Sequence, residues 1–159
     1  MTYKLLMDKL TKDISEIIVS EIKAINNKVR GLNFLELLKV SIFEKLLLLS
    51  NRQKFPLDQL IDYEYEIKDD FRHAKISVNY FLNSISISKK KIDNDTLFIF
   101  INEVSNFDIF KDKKQYTSLY LHKNTGISIP KGTIINAKYS KNLLLIEITN
   151  NEYEQILTK

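Results

Sequence analysis

The 159-residue chain is the size of one ordinary domain, carries a formal charge of +4, and has no cysteine, two histidines and three glycines. Those counts exclude disulfides, thiol catalysis and thiolate zinc sites, and leave little material for a glycine-rich phosphate loop. All but Arg30, Arg52 and Arg72 of the 24 basic residues are lysine, so the charge is a poor sign of base-reading nucleic-acid contacts, which favour arginine.

From Tyr3 to Val29, the apolar positions Leu6, Leu10, Ile14, Ile17, Ile18, Ile22, Ile25 and Val29 recur every three or four residues, which predicts a long amphipathic helix. Charged residues at Lys4, Asp8 and Lys9 interrupt the start too early for the apolar centre of a secretory signal, so a soluble, cytoplasmic protein is the expectation. Gly31 offers a left-handed residue at which this helix can stop. A second helix is predicted from about Asn33 to Ser50, apolar on most sides and central to the N-terminal half. Glu36, Lys39 and Glu44 interrupt it, so it reads as a buried helix and not a membrane span. The first helix packs on the second in this reading, or pairs with a second copy.

Pro56 suits the first turn of a third helix, Leu57 to about Ile67. Residues 68–83 fit a helical face through Phe71, Ala74, Val78 and Phe81, and also alternate like a strand over Lys75 to Tyr80. Helix is expected through about Lys75. From Ser84 the period becomes two. Ser84 to Ser88 alternates, Leu97 to Ile101 is a β-rich run, and Asp93-Asn94-Asp95 is turn chemistry, so the pair is expected to form a hairpin. Further strands are predicted at Phe107 to Phe110, Tyr116 to Leu121, Gly126 to Ile129, Thr133 to Tyr139 and Leu143 to Ile148. The expected fold class is α+β: a helical region over 1–83 and an antiparallel β region over 84–159, sharing one core.

Chemistry-bearing motifs are scarce. His73 and His122 lie far apart, with no carboxylate at the spacing of a helix-borne metal site, so neither is expected to bind a metal. No nucleophile elbow or phosphate loop occurs. Glu103 and Glu147 are the carboxylates that a barrel mouth would have to bring together as acid and base, and nothing in the sequence pairs them.

From Thr96 onward the chain resembles the second half of a cupin β-barrel, most closely the sugar 3,4-ketoisomerase branch of dTDP-sugar biosynthesis. The resemblance is carried by Leu97-Phe98-Ile99-Phe100-Ile101, by Phe107-Asp108-Ile109-Phe110-Lys111-Asp112, and by Gly126-Ile127-Ser128-Ile129-Pro130-Lys131-Gly132-Thr133. Leu143 to Ile148 and Tyr153 sit where those proteins have a terminal apolar strand and a tyrosine. The resemblance covers about 60 residues and implies a cupin-like barrel or sandwich in the C-terminal half. It also implies a departure, because the metal histidine after the turn glycine falls on Ile135 and the upstream pair of histidines falls near Ser84 to Ser88. No catalytic residue, metal or cofactor is therefore expected. A barrel without those ligands still binds a small molecule or dimerises, as ligand-binding domains of AraC-like regulators do by resemblance.

Two alternatives stand beside a non-catalytic regulatory or binding module, expected as a homodimer. One is a sugar-nucleotide isomerase with an unfamiliar site. The other is a DNA-binding winged helix resembling plasmid and phage initiators, with residues 69–83 as recognition helix and 84–101 as wing. Arg72, His73, Lys75 and Asn79 would then face the major groove, and Lys89, Lys90 and Lys91 would meet phosphates.

Overall fold

The computed structural model describes residues 3–26, 28–52, 62–68, 73–81, 83–100, 103–111, 116–123, 125–141 and 143–151. Two helices, α1 (Tyr3–Ala24) and α2 (Gly31–Arg52), precede nine strands. These are β1 (Asp62–Lys68), β2 (His73–Phe81), β3 (Ile85–Lys91), β4 (Thr96–Phe100), β5 (Val104–Phe110), β6 (Tyr116–Leu121), β7 (Thr125–Ile129), β8 (Ile134–Tyr139) and β9 (Leu143–Asn150).

The strands form two antiparallel sheets, one ordered β1-β2-β9-β4-β7 and the other β3-β8-β5-β6. Without β1, this is the eight-stranded order of a jelly roll, in which consecutive strands pass from one facing sheet to the other except at the β5–β6 pair. The cupin-like expectation is met by that order, and α+β holds for the described residues. β1 extends the first sheet beyond the eight-stranded frame, pairing with β2 from Asp62↔Asn79 to Lys68↔His73.

Three layers result. Ile14, Ile18 and Ile22 fall four residues apart on α1 and are buried against Phe34, Leu35, Leu38 and Ile42 of α2. Both helices cover the outer face of the five-stranded sheet, where Ala74, Ile76, Val78, Leu97, Ile99, Leu144, Ile146 and Ile148 complete one cluster. The sheet's other face packs on the four-stranded sheet through Phe98, Phe100, Phe107, Ile135, Tyr139, Leu143 and Leu145. Because β4 and β9 are covered on both faces, they read as continuous apolar runs. β8, covered on one face only, alternates.

At Gly126 α2 lies close against the sheet: an added Cβ would lie 2.9 Å from Lys39 Cγ. Gly132, at φ +90°, forms the turn before β8, and its N–H donates to the Ile92 carbonyl at 2.8 Å. Asp95 fastens the same turn by accepting the Lys131 N–H at 2.8 Å, and its carbonyl accepts the Asn150 N–H at 2.9 Å.

Several expectations are corrected. α1 ends at Ala24, before Val29, although Gly31 does take φ +61° at the start of α2. Of the expected third helix, residues 57–61 lie outside the described residues, and its remainder is in β1. The expected helix through Lys75 is also wrong from His73 onward, where β2 begins. Pairing with β1 and β9 prevails there over the helical spacing, and Ala74, Ile76 and Val78 are buried at period two. The recognition helix of the winged-helix reading is therefore strand over residues 73–81. The expected hairpin fails because β3 pairs with β8 while β4 pairs with β7 and β9. The Asp93-Asn94-Asp95 loop crosses between sheets instead of joining neighbours. Helix gives way to strand between Arg52 and Asp62, so residue 83 does not divide a helical region from a β region.

Candidate functional site at the open end of the sandwich

The space between the sheets has two unlike ends. At one end the rings of Phe98 and Phe107 meet edge to face at 5.9 Å, and those of Phe100 and Phe107 at 5.6 Å. Tyr139 lies 6.0 Å from Phe100, and burial pushes its phenol well above the usual tyrosine range. Ile135, where the resemblance placed a histidine, is fully buried in this packing. At the Ser84 to Ser88 stretch the side chains packed inward include Ile87, while Ser86 and Ser88 are exposed. Among the described residues, apolar side chains stand where the implied histidines would be.

At the other end the same faces turn polar. On β9, Leu143 and Leu145 are followed at period two by Glu147 and Thr149. Ser77 of β2 stands opposite Glu147, Lys75 opposite Thr149, and Thr96 of β4 opposite Thr149 from the other side. Lys75, Thr96, Glu147 and Thr149, with Lys90 and Lys91 from β3 and Asn151 after β9, line a cavity of about 310 Å³. Burial raises the Glu147 carboxyl above its usual range, and the charges of Lys90 and Lys75 oppose that shift without cancelling it. Lys75 also pairs with Glu64 of β1 at 3.2 Å. Asn151 is 7% exposed, and its carboxamide oxygen has no hydrogen-bond donor among the described residues. The mouth therefore offers three ammonium groups against two carboxyls, Asp93 and a Glu147 held toward its neutral form, together with hydroxyls and an unfilled acceptor.

The other sequence candidates disperse. Arg72 lies outside the described residues. His73 is 3% exposed and its Nε2 meets Glu66 Oε1 of β1. His122 is exposed, with its ring against Tyr120. Asn79 lies on β2 opposite Leu145, and Lys89, Lys90 and Lys91 are exposed on β3, an edge strand of its sheet. Lys75, Lys90 and Lys91 do converge, although on a cavity between sheets and not on a helix and wing. Glu103 receives a hydrogen bond from the Tyr120 hydroxyl, while Glu147 is surrounded by Lys75 and Lys90, so the two carboxylates have separate partners. No group of three or more histidine, aspartate or glutamate side chains is placed to hold a metal ion among the described residues. No described helix is long and apolar enough to cross a membrane.

Sequence reading missed the role of Thr96, Thr149 and Asn151. The one available signal was Glu147 itself, a lone charge inside the apolar run Leu143 to Ile148.

No family model matches the chain, and no curated protein does. Among solved structures, it is similar to a cupin superfamily protein from Desulfitobacterium hafniense at 19% identity and a TM-score of 0.44, covering 64% of this chain and 86% of that one. A cupin domain from Bordetella pertussis is similar at 12% identity and a TM-score of 0.40, covering 57% and 93%. Drosophila melanogaster CENP-C, in a structure bound to CAL1, is similar at 12% identity and a TM-score of 0.42, covering 69% and 93%.

Proposed function

We propose that the chain is a non-catalytic regulatory or binding module whose small-molecule ligand enters the polar mouth between the sheets. The observation that carries this reading is the division of the interior: aromatic rings fill one end, and a cavity with three lysines and an unfilled acceptor occupies the other. Lys75, Lys90 and Lys91 suit an acidic group, and Asn151 suits a hydroxyl or amine donor on the same ligand. Neutralising Glu147 makes the mouth more positive, so affinity for such an anion rises as pH falls through its titration.

A thermal-shift and calorimetry panel of hydroxycarboxylates, sugar phosphates and dTDP-sugars tests the assignment. A ligand present at about 100 times its Kd stabilises the fold by about 2.7 kcal/mol. That shift is expected to disappear in Lys75→Ala/Lys90→Ala. Turnover of any panel member, including isomerisation of a dTDP-sugar, overturns the non-catalytic part, and a panel with no shift overturns the ligand.

A homodimer belongs to the same reading. Leu37 and Val40 are 50% and 72% exposed one helical turn apart on α2, a pair of apolar side chains that a second copy would cover. Light scattering on the wild type and Leu37→Asp/Val40→Asp tests it, with a monomer in both removing the dimer.

Nucleic-acid contact is the second reading, supported by the exposed run Lys89, Lys90, Lys91. Gel shift at two salt concentrations decides it: salt-sensitive binding lost on replacing all three lysines supports it, and no shift at low salt removes it. Edge-strand lysines also keep β3 from pairing with another chain, which explains the run without any ligand.

A further inference from the structure

The outward face of the four-stranded sheet carries a second concavity, separate from the mouth. A groove of about 410 Å³ crosses all four strands, lined by Ser86 of β3, Asn136 and Lys138 of β8, Asn106 and Asp108 of β5, and Ser118 of β6. These side chains alternate with Ile87, Ile135, Phe107 and Leu119, which pack into the interior, so the polar set faces away from the core. Two of the groups are held in place. Ser118 Oγ donates to Asp108 Oδ1 at 2.6 Å, and the Lys89 N–H donates to Asn136 Oδ1 at 2.6 Å. Asp108 keeps a second oxygen as acceptor, and Asn136 keeps its amide NH2 as donor.

Ser118 lies between Tyr116 and Tyr120 on the same face of β6. The two rings are 63% and 49% exposed, and four residues of strand separate them by roughly 13 Å. Neither ring is loose. Tyr116 lies 5.3 Å from Phe110, and Tyr120 packs on His122 at 4.9 Å while its hydroxyl donates to Glu103. Exposed aromatic faces at fixed spacing beside a row of hydroxyls, amides and one carboxylate suit a ligand with C–H faces to stack and hydroxyls that both donate and accept. Lys138 and Asp108 balance in charge, which disfavours a polyanion. The polar row disfavours a purely apolar partner surface.

We propose that this outer face binds a neutral oligosaccharide, stacked on Tyr116 and Tyr120 and hydrogen-bonded by Asp108, Asn136 and Asn106. The site goes beyond the mouth pocket and shares no lining residue with it.

Affinity electrophoresis of the full chain through gels containing a soluble β-glucan, an α-glucan or a galactomannan tests it, followed by calorimetry with the matching hexasaccharide. The expected result is retardation in at least one gel. Tyr120→Ala and Asn136→Ala should each weaken the hexasaccharide Kd about tenfold or more. Lys75→Ala/Lys90→Ala at the mouth should leave it within about twofold. No retardation in any gel overturns the proposal, as does retardation that survives Tyr116→Ala/Tyr120→Ala in a variant whose melting curve stays cooperative. Loss of binding in Lys75→Ala/Lys90→Ala alone also overturns it and moves the saccharide to the mouth.

Discussion

Glu147 sits where the aromatic half of the interior meets the polar half, with Phe98 beside it on β4 and Ser77 beside it on β2. Its carboxyl is raised by burial above the value it has in the unfolded chain, so the folded state binds its proton more tightly. Stability from this group is therefore fully present below the unfolded value and falls as pH rises through the folded one. Glu147→Gln is expected to raise the melting temperature at neutral pH and to change little below the carboxylate range. Melting curves across that range check it, and a loss of stability at neutral pH would show that the carboxylate's pairing with Lys90 and Lys75 outweighs its burial. Phe100, fully buried between Phe98, Phe107 and Tyr139, gives the complementary test. Phe100→Ala should cost about 3–5 kcal/mol by denaturant unfolding, a large share of the roughly 5–15 kcal/mol that holds a domain folded.

Turns between elements are set by a few backbone groups. Gly132 needs its positive φ to present its N–H to Ile92, and Thr133 returns a carbonyl to the Ile92 N–H at 2.8 Å. Gly132→Ala meets no neighbour within 4 Å, so any loss comes from the backbone alone. About 1 kcal/mol is expected by denaturant unfolding, with the mouth still able to bind its ligand. The strands after Phe107 were legible in sequence to within a residue or two, because each alternates or runs apolar between turn residues. β2 was not, since Ala74 and Val78 fit a helical face as well as a strand, and pairing with β1 and with β9, about 70 residues away, decides between them. The same limit hid the separation of β3 from β4: turn residues at 93–95 announce a change of direction and cannot say which sheet receives the next strand.

Across the whole molecule, layering ranks the elements by protection. β4 and β9 are central to the five-stranded sheet and covered by helices on one side and the second sheet on the other. β3 and β6 are edge strands with one face in water. Amide hydrogen exchange is expected to be slowest in β4 and β9 and faster in β3 and β6, with protection of β9 approaching the global stability. Equal protection of all four would mean that the helical layer adds nothing to the sheet it covers.

The sequence alone determined α1 and α2, the β character of the described segments from β3 to β9 and the absence of thiol side chains, because these depend on residue type and local period. Tertiary structure alone decided that residues 73–81 are strand, that β3 and β4 go to different sheets, and that Lys75, Lys90 and Glu147 share one cavity. Those outcomes depend on hydrogen-bond partners and facing side chains far away in the chain, and local spacing carries no record of which distant strand will supply them.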